Sequence, residues 1–191
     1  MSHVRPAIVL LILFSLLFGL AYPFAIAGVA QAIFPAQANG SLITQNGRVV
    51  GSSLIGQTFA QPQYFWPRPS AAGHGYDASA SSGSNYGPTS QALVDRVRGD
   101  AARYRATGIT GPIPADLLTT SGSGLDPHIS PAAAQMQIAR IAAARRMPPQ
   151  DIAALVRANT QAPFLGFIGD PAVNVLKLNL TLDAASTRRT G

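Results

Sequence analysis

The sequence contains no cysteine and no glutamate, and only one of its 191 residues is a lysine. The absence of cysteine excludes disulfides, thiolate nucleophiles and zinc–thiolate sites. The three histidines, His3, His74 and His128, show no His-x-x-His spacing, which argues against a transition-metal site. We therefore expect no metal bound by this chain.

Charge is also scarce, since only 12% of the residues are charged, about half the usual share. Eight aspartates stand against thirteen arginines and one lysine, which gives a formal net charge of +6. The arginines are spread along the chain and form no long run, so they are typical of a solvated surface, and we expect no nucleic-acid partner. The low charge content favours a membrane segment.

Residues 7–34 form an uncharged, mostly apolar run that is long enough to cross a bilayer as a helix. A cleaved signal peptide is the alternative, but its apolar region usually has about 7–15 residues. Arg5 precedes the run, and the next charged residue after it is Arg48. The positive-inside rule therefore places residues 1–6 in the cytoplasm and the main domain outside the membrane.

After the apolar run, the composition predicts a linker at 35–46, a soluble domain at 47–183 and a flexible tail at 184–191. Residues 70–90 show no periodicity. A loop of this length inside a domain is usually functional or disordered.

Three helices are predicted in this domain, at 88–106, 131–146 and 150–159. Ser130 and Pro131 are a favourable N-cap and first helical residue for the second of them.

Three other segments are predicted to be strands, at 48–59, 115–121 and 173–183. The last is predicted because leucines alternate with polar residues from Leu176, after a break in phase at Val175-Leu176 that fits a bulge. Together with the helices, they predict an α+β fold: one N-terminal transmembrane helix and a compact extracytoplasmic domain with a small mixed or antiparallel sheet and about three helices.

The stretch SGSGLDPHIS (121–130) contains the side chains of a hydrolase triad in Ser123, Asp126 and His128. Three residues within six positions rarely reach triad geometry, and the surroundings are not a G-x-S-x-G elbow. Turn and cap chemistry explains most of the string, because glycine, serine and Asp126-Pro127 favour turns. Anion binding by a glycine- and serine-rich loop before a helix is a third interpretation.

Five stretches make the chain resemble the C subunits of bacterial Kdp-type potassium-transporting P-type ATPases: GSSLIGQTF (51–59), YFWPRPSA (64–71), SSGSNYGPTS (81–90), SGSGLDPHISPAAAQMQIARIAAARR (121–146) and VNVLKLNLTLD (173–183). The resemblance implies an accessory, non-catalytic subunit of a high-affinity ATP-driven K⁺ import complex in the bacterial inner membrane. That subunit is required for assembly and raises the nucleotide affinity of the ATPase subunit. The resemblance also implies three partners: a channel-like K⁺-translocating subunit, a P-type ATPase subunit and a very small membrane subunit.

ATP and K⁺ are then handled by the complex, and we expect no tightly bound cofactor in this chain. The D-K-T-G phosphorylation motif of P-type ATPases is absent. Two other functions stay open at this point. One is a stand-alone membrane-anchored hydrolase using Ser123, Asp126 and His128, and the other is an anchored cell-envelope binding module.

The resemblance supplies the candidate residues for family-specific contacts. We expect partner contacts above all in loop 68–90 and turn 121–130, because long glycine- and serine-rich segments suit interfaces better than cores. The candidates are Gly56, Gln57, Arg68, Pro69, Ser70, Gly83, Ser84, Asn85, Ser121, Gly122, Ser123, Gly124, Asp126, Pro127, His128, Ser130, Gln137, Arg140, Arg145, Asn174, Lys177 and Asn179.

Overall fold

A computed structural model describes residues 3–190 of the chain, with side chains up to residue 186. The chain divides after Val50 into two compact units. Each unit is described by itself below.

The first unit begins with a single apolar helix, α1 (Val4–Ile33), which is long and apolar enough to cross a membrane, with a mean hydropathy of 2.4. A π-helical turn, Leu17–Ala21, interrupts it, and the Tyr22 N–H donates to the carbonyl of Leu17, five residues back. Pro23 explains the turn: it has no N–H to donate and its ring crowds the carbonyl four residues before it. The wider turn keeps the apolar helix continuous through the proline.

A short helix, α2 (Pro35–Ala38), and a two-stranded sheet of β1 (Leu42–Gln45) and β2 (Arg48–Ser52) follow. Asn46 and Gly47 join the strands with φ values of 50° and 75°, as their turn-forming sequence predicts. The predicted domain boundaries at 35–46 and 47–183 stay predictions.

The second unit contains the three predicted helices. These are α3 (Gln91–Arg105), α4 (Pro131–Arg145) and α5 (Pro149–Ala158). The Ser130 hydroxyl accepts the N–H of Ala133 at 3.0 Å, which confirms the predicted cap of α4.

A three-stranded antiparallel sheet has the order β3 (His128–Ile129), β5 (Ala172–Asn174), β4 (Thr160–Gln161). His128 lies opposite Asn174, and Thr160 lies opposite Val173. The predicted α+β class with a small antiparallel sheet is confirmed.

The strand predicted at 173–183 is confirmed only for Val173 and Asn174, which lie in β5, and is wrong from Val175 onward, because those residues belong to helix α6 (Val175–Thr190). Its buried positions Val175, Leu178 and Leu182 are spaced 0, 3 and 7, which is a helical period. The fourth position of that stripe is the polar Asn179, so the leucines alone imitate a strand. Asn174 starts the helix by accepting the Lys177 N–H at 3.0 Å. The predicted tail at 184–191 starts inside α6, and Gly191 lies outside the described residues.

Of the other two predicted strands, the one at 115–121 is wrong and the one at 48–59 is too long. Residues 115–121 contain a 3₁₀ turn, Ala115–Leu117, because Pro114 begins a turn in which the N–H of Leu117 bonds back to the Pro114 carbonyl. The strand predicted at 48–59 ends at Ser52, whose hydroxyl accepts the Leu54 N–H and closes a turn.

The core of the second unit lies between α4, α5, α6 and the sheet. Its fully buried large side chains include Phe65, Tyr104, Leu117, Ile141, Ile152 and Leu178. Phe65 and Trp66 enter this core from a segment that belongs to no strand, so their backbone polar groups need partners from elsewhere.

Two buried side-chain amides supply those partners, and we call this arrangement the amide clamp. Asn179 accepts the N–H of Phe65 at 2.8 Å and donates to its carbonyl at 3.1 Å. Gln137 does the same for Trp66, at 2.7 Å and 3.1 Å. The clamp thus replaces a strand pairing by side chains from α4 and α6.

Two arginines of α4 hold the same segment from outside. The Arg140 guanidinium lies 3.9 Å from the Trp66 ring centroid and donates to the Tyr64 carbonyl at 3.0 Å. Burial lowers the pKa of Arg140 to about 10, so it remains charged at neutral pH. Arg145 donates to the Gln63 carbonyl at 2.7 Å and pairs with Asp183 at 2.6 Å.

We predict that Asn179→Ala destabilises the second unit by about 2–5 kcal/mol, because the N–H and carbonyl of Phe65 lose their partners inside the core. Lys177→Ala, an exposed position of the same helix, is the matched control and costs less than about 0.5 kcal/mol. Denaturant unfolding of the full chain in detergent, followed by the emission of the single tryptophan, Trp66, measures both. Equal stability of the two variants contradicts the role of the clamp.

Candidate functional site

The two loops that the sequence singles out lie against each other. We call residues 67–83 and 121–128 the loop pair. Ser82 donates its N–H to the Ser123 carbonyl at 3.0 Å, and the Ser70 hydroxyl donates to the Gly124 carbonyl at 2.6 Å. Gly56 adds an N–H bond to the Leu125 carbonyl at 2.8 Å. The glycine- and serine-rich segments thus satisfy one another inside the chain.

Gly124 is the position where the loops approach most closely. Its φ is +68°, and a Cβ there would lie 2.5 Å from the Ser82 carbonyl oxygen and 2.7 Å from the Ala72 nitrogen. Only glycine fits both the backbone conformation and the contact. Gly83 is also tight, since a Cβ would lie 3.1 Å from the Gly122 carbonyl oxygen.

A charged group lies beside this contact. Arg68 pairs with Asp126 at 3.0 Å, and Asp126 also accepts the His128 N–H at 3.0 Å and approaches His128 Nδ1 at 3.3 Å. Burial raises the pKa of the Asp126 carboxyl, but the His128 hydrogen bonds and the Arg68 charge outweigh this and hold its pKa below the ordinary range. Asp126 is therefore a carboxylate that fixes the turn.

The Ser70 hydroxyl links three backbone groups, two in loop 67–83 and one in turn 121–128. Its oxygen accepts the N–H groups of Ala72 and Tyr76, at 3.2 Å and 2.8 Å, while it donates to Gly124. The Tyr76 hydroxyl donates to the Arg68 carbonyl, and burial, with the nearby Asp126 charge, raises the pKa of Tyr76 well above its ordinary value. The neutral phenol is the form that this contact needs.

The hydrolase interpretation does not match this geometry. The Ser123 hydroxyl accepts the N–H of Leu125 at 3.1 Å and approaches the Ser121 hydroxyl at 3.4 Å. Within the described residues, no hydrogen bond joins Ser123 to His128. The required nucleophile–base contact is therefore missing from the turn.

The anion-binding interpretation is also disfavoured. A carboxylate already lies at the N-terminus of α4, because Asp116 accepts the N–H and the hydroxyl of Ser130 at 2.6 Å and 3.2 Å. An added phosphate there would meet this negative charge.

A small cavity of about 220 Å³ opens beside loop 67–83, lined in part by Arg68, Pro69, Ser70 and Asp100. Burial raises the pKa of Asp100, and one of its carboxylate oxygens has no partner in the described part of the chain. Over the same described residues, no group of three or more His, Cys, Asp or Glu side chains could hold a metal ion.

The remaining candidates are dispersed. Ser84 is half-buried, Asn85 is exposed with a φ of 51°, and Lys177 is exposed on α6. Gln57 lies against Gly51, and Asn174 donates to the Ser53 carbonyl at 2.9 Å. That any of the candidates contacts a partner stays a prediction.

One exposed element was missed by the reasoning from sequence. Phe164 and Ile168 form an isolated antiparallel bridge, and the apolar side chains between them point to solvent. The string PFLGFIG (163–169) indicates such an exposed turn. Its apolar residues are interrupted by Gly166 and end at Gly169, so the run is too short to form both a core strand and a turn.

Comparisons with known proteins agree on one family. The family model described as K⁺-transporting ATPase, c chain (KdpC) matches residues 4–184. The potassium-transporting ATPase KdpC subunit of Caulobacter vibrioides is 62% identical over 185 residues, covering 96% of this chain and 94% of the relative. Those of Beijerinckia indica and Allorhizobium ampelinum are 58% and 55% identical, each over 186 residues, covering 96% and 97% of this chain and 94% and 97% of the relatives.

We predict that Gly124→Ala destabilises the second unit by about 3 kcal/mol or more, because the new Cβ overlaps backbone atoms and the positive φ becomes strained. Gly122→Ala is the control in the same turn, since a Cβ there meets nothing within 4 Å, and it costs less than about 1 kcal/mol. Thermal unfolding of the full chain measures both. A Gly124→Ala protein as stable as Gly122→Ala would show that the loops do not interlock.

We further predict a pH signature for Asp126. Because its pKa is lower in the folded chain than in the unfolded chain, about 3.9, its stabilisation is complete above that value and is lost as the pH falls through the folded pKa. The difference in stability between the wild type and Asp126→Asn is therefore constant above about pH 5 and shrinks below about pH 4. Denaturant unfolding at a series of pH values measures it. A difference that is unchanged down to pH 2 contradicts the assignment.

Proposed function

This chain belongs to the KdpC family, the c chains of K⁺-transporting ATPases, and we propose that it acts in such a complex without performing a catalytic step of its own. The match over residues 4–184 carries this proposal, because it includes the apolar helix and nearly the whole second unit. The subunit is an accessory one: it contributes to assembly and to the activity of the ATPase.

The contacts of the polar family-specific residues support this role. Gln137, Asn179 and Arg145 hold the backbone of residues 63–66, and Arg68 and Asp126 hold the loop pair. These side chains use their hydrogen bonds to hold other parts of the same chain in place. They therefore explain a sequence pattern shared within a family without requiring an active site.

The partners that we propose are a channel-like K⁺-translocating subunit, a P-type subunit that hydrolyses ATP and a very small membrane subunit. ATP and K⁺ are handled by those chains, and this chain binds neither tightly. The proposal is consistent with the sequence, which lacks the D-K-T-G phosphorylation motif.

We propose that α1 spans the bacterial inner membrane once, with its N-terminus in the cytoplasm and the second unit outside. Arg5 before the apolar helix and the absence of charge from there to Arg48 support this orientation. The second unit would then lie at the external face of the channel-like subunit. Since ATP is inside the cell, an effect on nucleotide affinity has to pass through the membrane helices.

We predict that a complex carrying Ser123→Ala keeps its K⁺-stimulated ATP hydrolysis within about twofold of the wild type, whereas a preparation lacking this chain loses it. The Ser123 hydroxyl makes hydrogen bonds only within the turn, and such bonds are worth about 1 kcal/mol. ATP hydrolysis by the purified complex, with and without K⁺, is the measurement. Full activity without the chain would refute the subunit role, and activity of the chain alone that Ser123→Ala abolishes would restore the hydrolase.

A further inference from the structure

The hairpin at residues 164–168 exposes more apolar side chain than any other segment of the same length in residues 51–186. Phe164 and Leu165 are each 70% exposed, Phe167 is 77% exposed and Ile168 is 50% exposed. Elsewhere in the second unit, the large apolar residues that are exposed, Leu54 and Tyr86, are isolated. Isolated apolar residues are normal on a surface, but a contiguous group indicates an interaction site.

The hairpin has a defined shape despite its exposure. The N–H groups of Phe164 and Ile168 each donate to the other's carbonyl at 2.9 Å, and Gly166 donates to Pro163 at 3.0 Å. Leu165 and Gly166 turn the chain with φ values of 53° and 83°. Because the backbone groups of Phe164 and Ile168 already bond to one another, the base of the hairpin can lose water at low cost.

The exposed area fits one anchor of a larger contact. A buried aromatic side chain covers roughly 150–250 Å², so the two phenylalanines, which are 70% and 77% exposed, offer roughly 200–400 Å² together, and Leu165 and Ile168 add to this. A stable interface between free proteins needs about 800 Å² on each side. A chain already held in the membrane by α1 needs less, because tethering raises the effective concentration of the second contact.

The charges at the base of the hairpin distinguish a protein partner from a lipid surface. Asp170 lies two residues after the hairpin, and it lines a cavity of about 260 Å³ together with Asp116, His128 and the paired Arg68 and Asp126. Asp170 is exposed, and it has no hydrogen bond or ion pair within the described residues. Anionic lipids repel the exposed carboxylate of Asp170, whereas arginine or lysine side chains attract it.

We propose that the Phe164–Ile168 hairpin inserts into an apolar cleft with a basic rim on another subunit of the ATPase, and that Asp170 pairs with that rim. This inference rests on the proposed function, and it deepens it by naming the element that docks. It also moves the main partner contact away from the loop pair, whose polar groups bond to each other.

The first experiment compares charge insertions at two exposed apolar positions of the assembled complex. We expect Phe167→Asp to reduce the amount of this chain that stays bound during purification in mild detergent by at least tenfold. Leu54→Asp, which adds the same charge at a 61% exposed position, leaves binding within about twofold. Asp170→Asn weakens binding less and makes it less sensitive to salt.

Trp66 emission of each full-length variant in detergent shows whether the fold is intact, and unchanged emission is expected because Phe167 lies at the tip. If the wild-type chain does not bind the other subunits, the proposed function fails. If the wild type binds and a folded Phe167→Asp binds equally well, only the hairpin proposal fails.

The second experiment identifies what the hairpin contacts. Because the chain has no cysteine, a single introduced cysteine is its only labelling site. A nitroxide on Phe167→Cys is exposed to a water-soluble nickel relaxation agent, first with the chain alone in nanodiscs and then in the whole complex. We expect the label to be accessible in the chain alone and shielded in the complex. Shielding in the chain alone would mean that the hairpin enters the bilayer or meets a second copy, and accessibility in both samples would mean that it docks nowhere; each of these results overturns the proposal.

Discussion

The second unit depends on the amide clamp, in which two side chains replace a β-strand. Residues 63–66 must cross the core between α4 and α6, yet no strand pairs with them, so their backbone would be buried without partners. Gln137 and Asn179 solve this by bonding both polar groups of Trp66 and Phe65. Arg140 and Arg145 close the outer side. The residues that follow this segment, 67–83, pack against turn 121–128, and together they form the loop pair.

This arrangement explains why the stretches that resemble the family are long and unusual in composition. Glycine at 124 is demanded by a backbone approach, Ser70 joins three backbone groups, and Asp126 is held by Arg68 and His128. Each of these residues acts on the chain itself. The polar residues of these stretches thus hold the fold together. The hairpin Phe164–Ile168, by contrast, exposes its apolar side chains to solvent. The division suits an accessory subunit, because a framework that is bonded within itself can present one exposed element to a partner.

The sequence predicts the parts of this structure that follow local rules. Helix α4 begins where Ser130 and Pro131 predict it, and the apolar helix at the N-terminus is evident from composition. Helix α6 was predicted as a strand because its core stripe contains Asn179, a polar residue whose purpose is a contact with Phe65, 114 positions away in the chain. Long-range pairing of that kind has no local signal. The hairpin was missed for the opposite reason: its apolar residues suggest a core, and only the three-dimensional structure shows that the other described residues leave them exposed.

The loop pair satisfies its polar groups within the chain, and the hairpin is the element that we propose meets another subunit. Hydrogen exchange of the full chain, alone in detergent and in the assembled ATPase, tests this most directly. We predict that peptides covering residues 121–128 exchange at the same rate in both samples and that peptides covering 163–170 exchange more slowly in the complex. Slower exchange confined to 121–128, with no change at 163–170, would contradict it.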